Sequence, residues 1–156
     1  MGSSDRPGGR RRWLRWLGVA AWIGLILWLG SAGLSADSTS RFLGPLIAWL
    51  LPNAGPETRE LAHFVVRKGA HLFEYGVLAV LAWRAARPDL PRTPSAALTL
   101  GLVLAVAVVD EARQAGLAAR TGSPGDVALD VAGACLALGL LFALRALRRR
   151  ASPVRG

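Results

Sequence analysis

The chain has 156 residues, of which 53% are hydrophobic, and a formal net charge of +9. This length allows a single domain, and so aliphatic a composition, with one tyrosine and four phenylalanines, excludes an ordinary soluble domain. The charge does not indicate nucleic-acid binding, because the arginines fall in short clusters beside apolar runs, which membrane topology explains better. We therefore expect a membrane protein with no nucleic-acid partner.

The first predicted span is residues 16–36, the uncharged run between Arg15 and Asp37. Its length matches the ~20 residues that a helix needs to cross a bilayer. The basic tail before it, residues 1–15, resembles the start of a signal peptide, but the apolar run exceeds the usual apolar core of about 7–15 residues. We favour a retained anchor over a cleaved signal.

Residues 42–56 form a shorter apolar run that Pro45, Pro52 and Pro56 interrupt. Proline inside a helix removes a hydrogen bond and kinks the chain, and the run is too short for a full crossing. We predict an interfacial or re-entrant segment here, between the first and second spans.

Three more spans follow, at about 70–86, 95–111 and 126–144. The second is the apolar part of a helix predicted from Glu57 to Ala86, and the third runs directly into polar residues at its C-terminal end. The fourth begins with Ser123 as N-cap, Pro124 at the first helical position and Asp126 three residues after the cap. With a second basic tail at 146–156, the prediction is an all-α integral membrane four-helix bundle, one domain at 16–145.

The distribution of charge predicts the orientation. The two tails and the 84–92 loop carry most of the 19 basic residues, whereas most of the 10 acids lie in the other connections and helix ends. The positive-inside rule places both termini in the cytoplasm. The sole cysteine, Cys135, lies in an apolar run and leaves no intramolecular disulfide and no zinc-type cysteine spacing.

This topology brings three polar groups to one outer face. They are Lys68, His71, Glu74 and Tyr75 on the second helix, Asp110, Glu111 and Gln114 on the third, and Arg120, Asp126 and Asp130 around the start of the fourth. A charge near the bilayer centre costs at least about 2.5–3.5 kcal/mol on insertion scales, so such groups pair or line a wet cavity. We expect the three groups to form a common pocket.

Each polar residue taken alone has a structural explanation. Lys68 can extend to the headgroups, Asp126 can complete a capping box, and Asp110 with Glu111 can mark the membrane boundary. Lys68 is nevertheless the only lysine among 19 basic residues, and a compact point charge differs from a guanidinium in what it binds.

The three groups together resemble the motifs of the VanZ-like family. The motifs are Lys68-x-x-His71-x-x-Glu74-Tyr75, then Asp110-Glu111-x-x-Gln114, then Arg120-Thr121-Gly122-Ser123-x-x-Asp126-Val127 with Gly133 beyond. The resemblance covers roughly residues 25–145. This sequence departs from the family pattern at Asp130, where the family usually has asparagine. The resemblance implies a small polytopic protein of the bacterial inner membrane, similar to one associated with low-level teicoplanin resistance.

Two classes of function fit the cluster. In a membrane-embedded enzyme, His71 would act as general acid or base with Glu74 orienting it, and Asp110 with Glu111 would hold a divalent cation or, through Glu111, supply a base. Lys68 and Arg120 would bind an anionic group such as phosphate, and Tyr75, Gln114 and Asp126 would complete the substrate site. No serine or cysteine nucleophile has the neighbouring base that covalent catalysis requires.

The second class, which we favour slightly, is a non-catalytic binding or structural module. The same residues would then form an interhelical network that presents a surface to membrane lipids, a lipid-linked or lipoglycopeptide ligand, or a partner protein. A transporter is a weaker third alternative, because four short spans enclose little path without oligomerisation.

Overall fold

The computed structural model describes residues 7–30, 36–115 and 124–151. Over these ranges the chain forms five α-helices and no strand, which confirms the all-α prediction. The helices are α1 (Pro7–Leu29), α2 (Ala36–Leu50), α3 (Pro56–Ala86), α4 (Arg92–Ala115) and α5 (Pro124–Ala151). The predicted cap Ser123 and the predicted site residue Arg120 lie outside the described residues.

Proline and short turns set the helix boundaries. Pro56 and Pro124 stand at the first positions of α3 and α5, where a fixed φ and a missing N–H cost nothing. After α3, the N–H groups of Asp89 and Leu90 donate to the Ala86 carbonyl and close the turn that leads into α4. The segment predicted as interfacial or re-entrant is largely helical, since α2 continues through Pro45.

Three helices are long and apolar enough to cross a membrane, judged by length and composition: Arg12–Leu29, Arg92–Ala115 and Pro124–Ala151. The predicted spans 95–111 and 126–144 lie inside two of them, and the span 16–36 overlaps α1 up to Leu29. The span predicted at 70–86 lies in α3, which is not among the three because polar and charged residues interrupt it. A membrane-spanning architecture is thus supported, and the crossing by α3 stays a prediction.

The central helix of the bundle is α3. It packs against each of the other four helices and most extensively against α5. Its inward face is buried and carries Tyr75, Leu78, Ala79, Ala82 and Trp83. The least apolar of the long helices is therefore the one that its neighbours cover most completely.

Close approach between α3 and α5 depends on Gly133. A Cβ atom built at this position would lie 2.6 Å from the Leu72 carbonyl oxygen and 2.9 Å from the Leu72 Cα atom. Both are backbone atoms of α3, so no rotamer change would relieve the contact. Gly133 consequently sets the distance between the two helices, as small residues do in membrane helix packing.

The basic end of α1 lies beside the α3–α4 turn. Arg15 contacts Asp89 Oδ2 at 2.9 Å and Arg12 contacts the same oxygen at 3.5 Å. Exposed ion pairs of this kind contribute only about 0–1 kcal/mol. These ion pairs nevertheless place the start of α1 and the end of α3 at the same end of the bundle.

Candidate functional site

Two polar pairs join α3 to the first turns of α5. The Lys68 ammonium contacts Asp126 Oδ1, and Nδ1 of His71 lies 3.1 Å from Asp130 Oδ1. The spacing of three residues on α3 and four on α5 puts each pair about one turn from the other. Asp130 is only 1% exposed, and a buried carboxylate needs a partner of this kind to offset its lost hydration.

Asp110 of α4 is the centre of a second group of contacts. The Gln114 amide donates to Asp110 Oδ2 at 2.8 Å, and the Tyr75 hydroxyl donates to the same oxygen over a long 3.5 Å. All three side chains are buried. The rings of His71 and Tyr75 lie nearly parallel, with an interplanar angle of 9° and centroids 6.4 Å apart. These two α3 residues therefore connect the α5 contacts with the α4 contacts.

Of these polar residues, His71, Asp110 and Gln114 border a small cavity of about 180 Å³. One part of its wall is polar and comprises Arg67, His71, Glu74, Asp110 and Gln114; the rest is apolar and comprises Ile26, Leu29, Gly30, Leu43, Val66 and Ala70. Helices α1 to α4 all contribute to this wall. A cavity with one polar and one apolar side suits a ligand that has both characters.

The end of α1 closes the cavity over α4. A Cβ atom at Gly30 would lie 2.6 Å from Asp110 Oδ1 and 3.1 Å from Gln114 Nε2, so a larger residue here would displace these two side chains. Nearby, Trp22 Nε1 donates to the Glu74 carbonyl at 2.9 Å, and Arg113 donates to the Leu27 carbonyl at 3.2 Å. These bonds fix α1 against α3 and α4 beside the cavity.

The structure brings together most of the residues that the sequence singled out. Lys68, Tyr75, Asp126 and Gln114 take part in the contacts above, and His71 and Glu74 line the cavity. Glu111 is half-buried one position beyond Asp110, so its side chain leaves α4 in a different direction. The pairing differs in one respect from the expectation, since the carboxylate at His71 Nδ1 belongs to Asp130.

Two residues of the site, Arg67 and Trp22, had no role in the sequence interpretation. Asp130 was expected in the common pocket, but not as the partner of His71, although its spacing of four from Asp126 matches a second contact on the same helix face. Nothing in the local sequence indicates that the Trp22 indole reaches the Glu74 carbonyl, because that contact depends on how α1 packs on α3.

Among the described residues, no third histidine, cysteine or acidic side chain completes the predicted cation site at Asp110 and Glu111. Within residues 7–30, 36–115 and 124–151, no group of three or more histidine, cysteine, aspartate or glutamate side chains is placed to hold a metal ion. Asp110 Oδ2 already accepts from Gln114 and Tyr75. A divalent cation there would need further ligands from a bound molecule or from elsewhere in the chain.

Comparison with known proteins supports the family resemblance. Searches of the curated proteins and of the solved structures found no match to this chain. The sequence model of the VanZ/LLP1 family, by contrast, matches residues 16–145, a range that contains α2, α3 and α4, most of α1 and α5, and all the site residues above. The chain belongs to the VanZ/LLP1 family.

Proposed function

We propose that the chain crosses the bacterial cytoplasmic membrane four times, with α1, α3, α4 and α5 as the spans and both termini in the cytoplasm. The packing of α3 supports its inclusion, since it contacts all three helices that are apolar enough to cross. Lys68, His71 and Tyr75 reduce its hydropathy, but their side chains are directed at polar groups of α4 and α5. Polar residues in membrane helices are tolerated in this arrangement.

Reporter fusions test this topology. Fusions at residue 156 and near residue 90 should be active only with a cytoplasmic reporter, and an insertion near residue 55 only with an extracytoplasmic one. The positive-inside rule gives this expectation, because the basic residues concentrate in the tails and the 84–92 loop. A periplasm-dependent reporter that works at residue 156 would overturn the four-span arrangement.

The polar end of the bundle then binds an amphiphilic molecule of the cell envelope, either a lipid or a lipid-linked or lipoglycopeptide ligand. One observation carries this proposal: the cavity has Arg67, His71 and Glu74 on one side and apolar side chains of α1 and α2 on the other. Its volume of about 180 Å³ is below the roughly 300–1,000 Å³ of sites for drug-sized molecules. It accepts a headgroup or one terminal group, and the remainder of the ligand lies outside.

Filling the cavity is the direct test. Ala70 lines it, so Ala70→Phe should displace a bound amphiphile, whereas Ala112→Phe on the exposed face of α4 should not. Each protein is purified in mild detergent, and bound amphiphiles are identified by native mass spectrometry. If the two variants retain equal amounts of bound amphiphile, then the cavity is not the binding site. If Ala70→Phe changes teicoplanin susceptibility and Ala112→Phe does not, then binding in this cavity contributes to glycopeptide resistance.

A second candidate, a membrane-embedded enzyme, rests on the contact between Asp130 and His71. A carboxylate at Nδ1 fixes the ring and leaves Nε2 for a substrate proton, which is the arrangement of a histidine general base, and His71 lines the cavity. An enzyme would lose its cellular effect in His71→Gln and Glu111→Gln while its abundance in the membrane persists. A binding module would keep its effect in each variant that still binds the amphiphile.

A further inference from the structure

A second, larger cavity lies at the opposite end of the bundle. It has a volume of about 530 Å³ and occupies the space between the end of α3, the start of α4 and the end of α5. Its wall includes three arginines, Arg92, Arg145 and Arg149, and two aromatic side chains, Trp83 and Phe142. None of these residues takes part in the polar site described above.

The three arginines give this cavity a positive rim. In the part of the chain that the structure describes, no ion pair joins Arg92, Arg145 or Arg149 to an acid. The one acid of the adjacent turn, Asp89, already contacts Arg12 and Arg15. Arg145 and Arg149 are four residues apart and so project from the same face of α5. The rim is therefore suited to an anion with several acceptor oxygens.

The floor of the cavity is apolar and contains a single buried donor. Trp83 is 1% exposed, and its ring meets that of Phe142 edge to face with centroids 4.8 Å apart. Its indole Nε1 has no hydrogen-bond partner among the described residues, although buried indole N–H groups usually have one. The Trp83–Phe142 pair gives the cavity an apolar wall beside its three arginines.

We infer that this cavity is a binding site for an anionic phospholipid, whose phosphate contacts Arg92, Arg145 and Arg149 and whose acyl chain lies against Trp83 and Phe142. The volume is adequate for a headgroup and the first part of a chain. In the proposed topology this end faces the cytoplasmic leaflet, where anionic lipids are enriched and basic pockets between helices bind their headgroups.

The experiment compares lipids and neighbouring arginines. Purified protein is titrated with phosphatidylglycerol, with zwitterionic phosphatidylcholine and with inorganic phosphate, and bound molecules are counted by native mass spectrometry. Phosphatidylglycerol should bind most tightly to the wild-type protein. Arg149→Gln should weaken that binding about fivefold, the effect of one basic residue near a lipid surface. Arg150→Gln, with the same change of charge one position away, should leave it unchanged.

Other results decide against the site or its assigned ligand. Equal binding of phosphatidylglycerol and phosphatidylcholine by the wild-type protein would exclude a headgroup-specific site without any variant. Tight binding of inorganic phosphate would show that the rim recognises a free anion and needs no acyl chain. Equal losses in Arg149→Gln and Arg150→Gln would mean that net charge alone attracts the lipid.

Discussion

Substitution of Gly133 by alanine should separate α3 from α5. The added Cβ atom would lie 2.6 Å from the Leu72 carbonyl oxygen, and ordinary contact begins near 3.4 Å. The helices would have to move apart locally by at least about 0.8 Å to restore that contact. Because the atoms it meets belong to the backbone of α3, the whole helix must shift.

The expected cost follows from this displacement. Forcing a methyl group into a packed interface typically costs about 1–3 kcal/mol, and the gain from a better helix former returns at most about 1 kcal/mol. The shift would also lengthen the 3.1 Å contact between His71 and Asp130 beyond hydrogen-bonding distance. We therefore expect Gly133→Ala both to lower the free energy of unfolding and to weaken the proposed amphiphile binding.

Gly139 supplies the matched control on the same helix. A Cβ atom there has no other atom within 4 Å, so Gly139→Ala should be neutral or slightly stabilising. The free energy of unfolding of each variant is measured by circular dichroism in mixed micelles with increasing sodium dodecyl sulfate. If Gly133→Ala proves as stable as Gly139→Ala, then α3 and α5 do not pack as closely as the Gly133 contact requires.

Two further substitutions test the contacts around the polar cavity. Trp22→Phe removes the hydrogen bond to the Glu74 carbonyl and should lower the free energy of unfolding by about 0.5–1.5 kcal/mol in the same assay. Trp28→Phe is the control, because Trp28 is 61% exposed. An equal effect of the two substitutions would show that the hydrogen bond does not contribute to stability. Glu74→Gln, which removes a charge from the cavity wall, should reduce stability or amphiphile binding more than Glu57→Gln at the exposed start of α3. If the two variants do not differ in stability or in amphiphile binding, then Glu74 behaves as an ordinary surface charge.

The sequence predicted those features that depend on local periodicity and composition. The helix from Glu57 to Ala86, the start of α5 at Pro124 and the shared face of Lys68, His71 and Tyr75 all follow from spacing along one helix. The family resemblance also came from residues at fixed spacing within each helix.

Features that depend on how helices pack could not be predicted in the same way. The pairing of His71 with Asp130 depends on the relative rotation and height of α3 and α5. The sequence placed both Glu74, one turn away on the same helix, and Asp130, on another helix, in the expected pocket, and it could not decide between them. The helix through Pro45 shows the limit of a local rule, because the surrounding residues keep the helical conformation despite the missing hydrogen bond. The arginine-rich cavity arises where three helix ends meet, and no single segment contains its pattern.

The dependence of α3 on α5 has a consequence for biosynthesis. A nascent chain that ends before residue 124 contains Lys68 and His71 but neither of the aspartates that they contact. If α3 is a span, as proposed, it would enter lipid at that stage without these two contacts, and its insertion would be less favourable than in the complete bundle. Stable insertion of α3 would then have to wait for α5, the last helix to be synthesised.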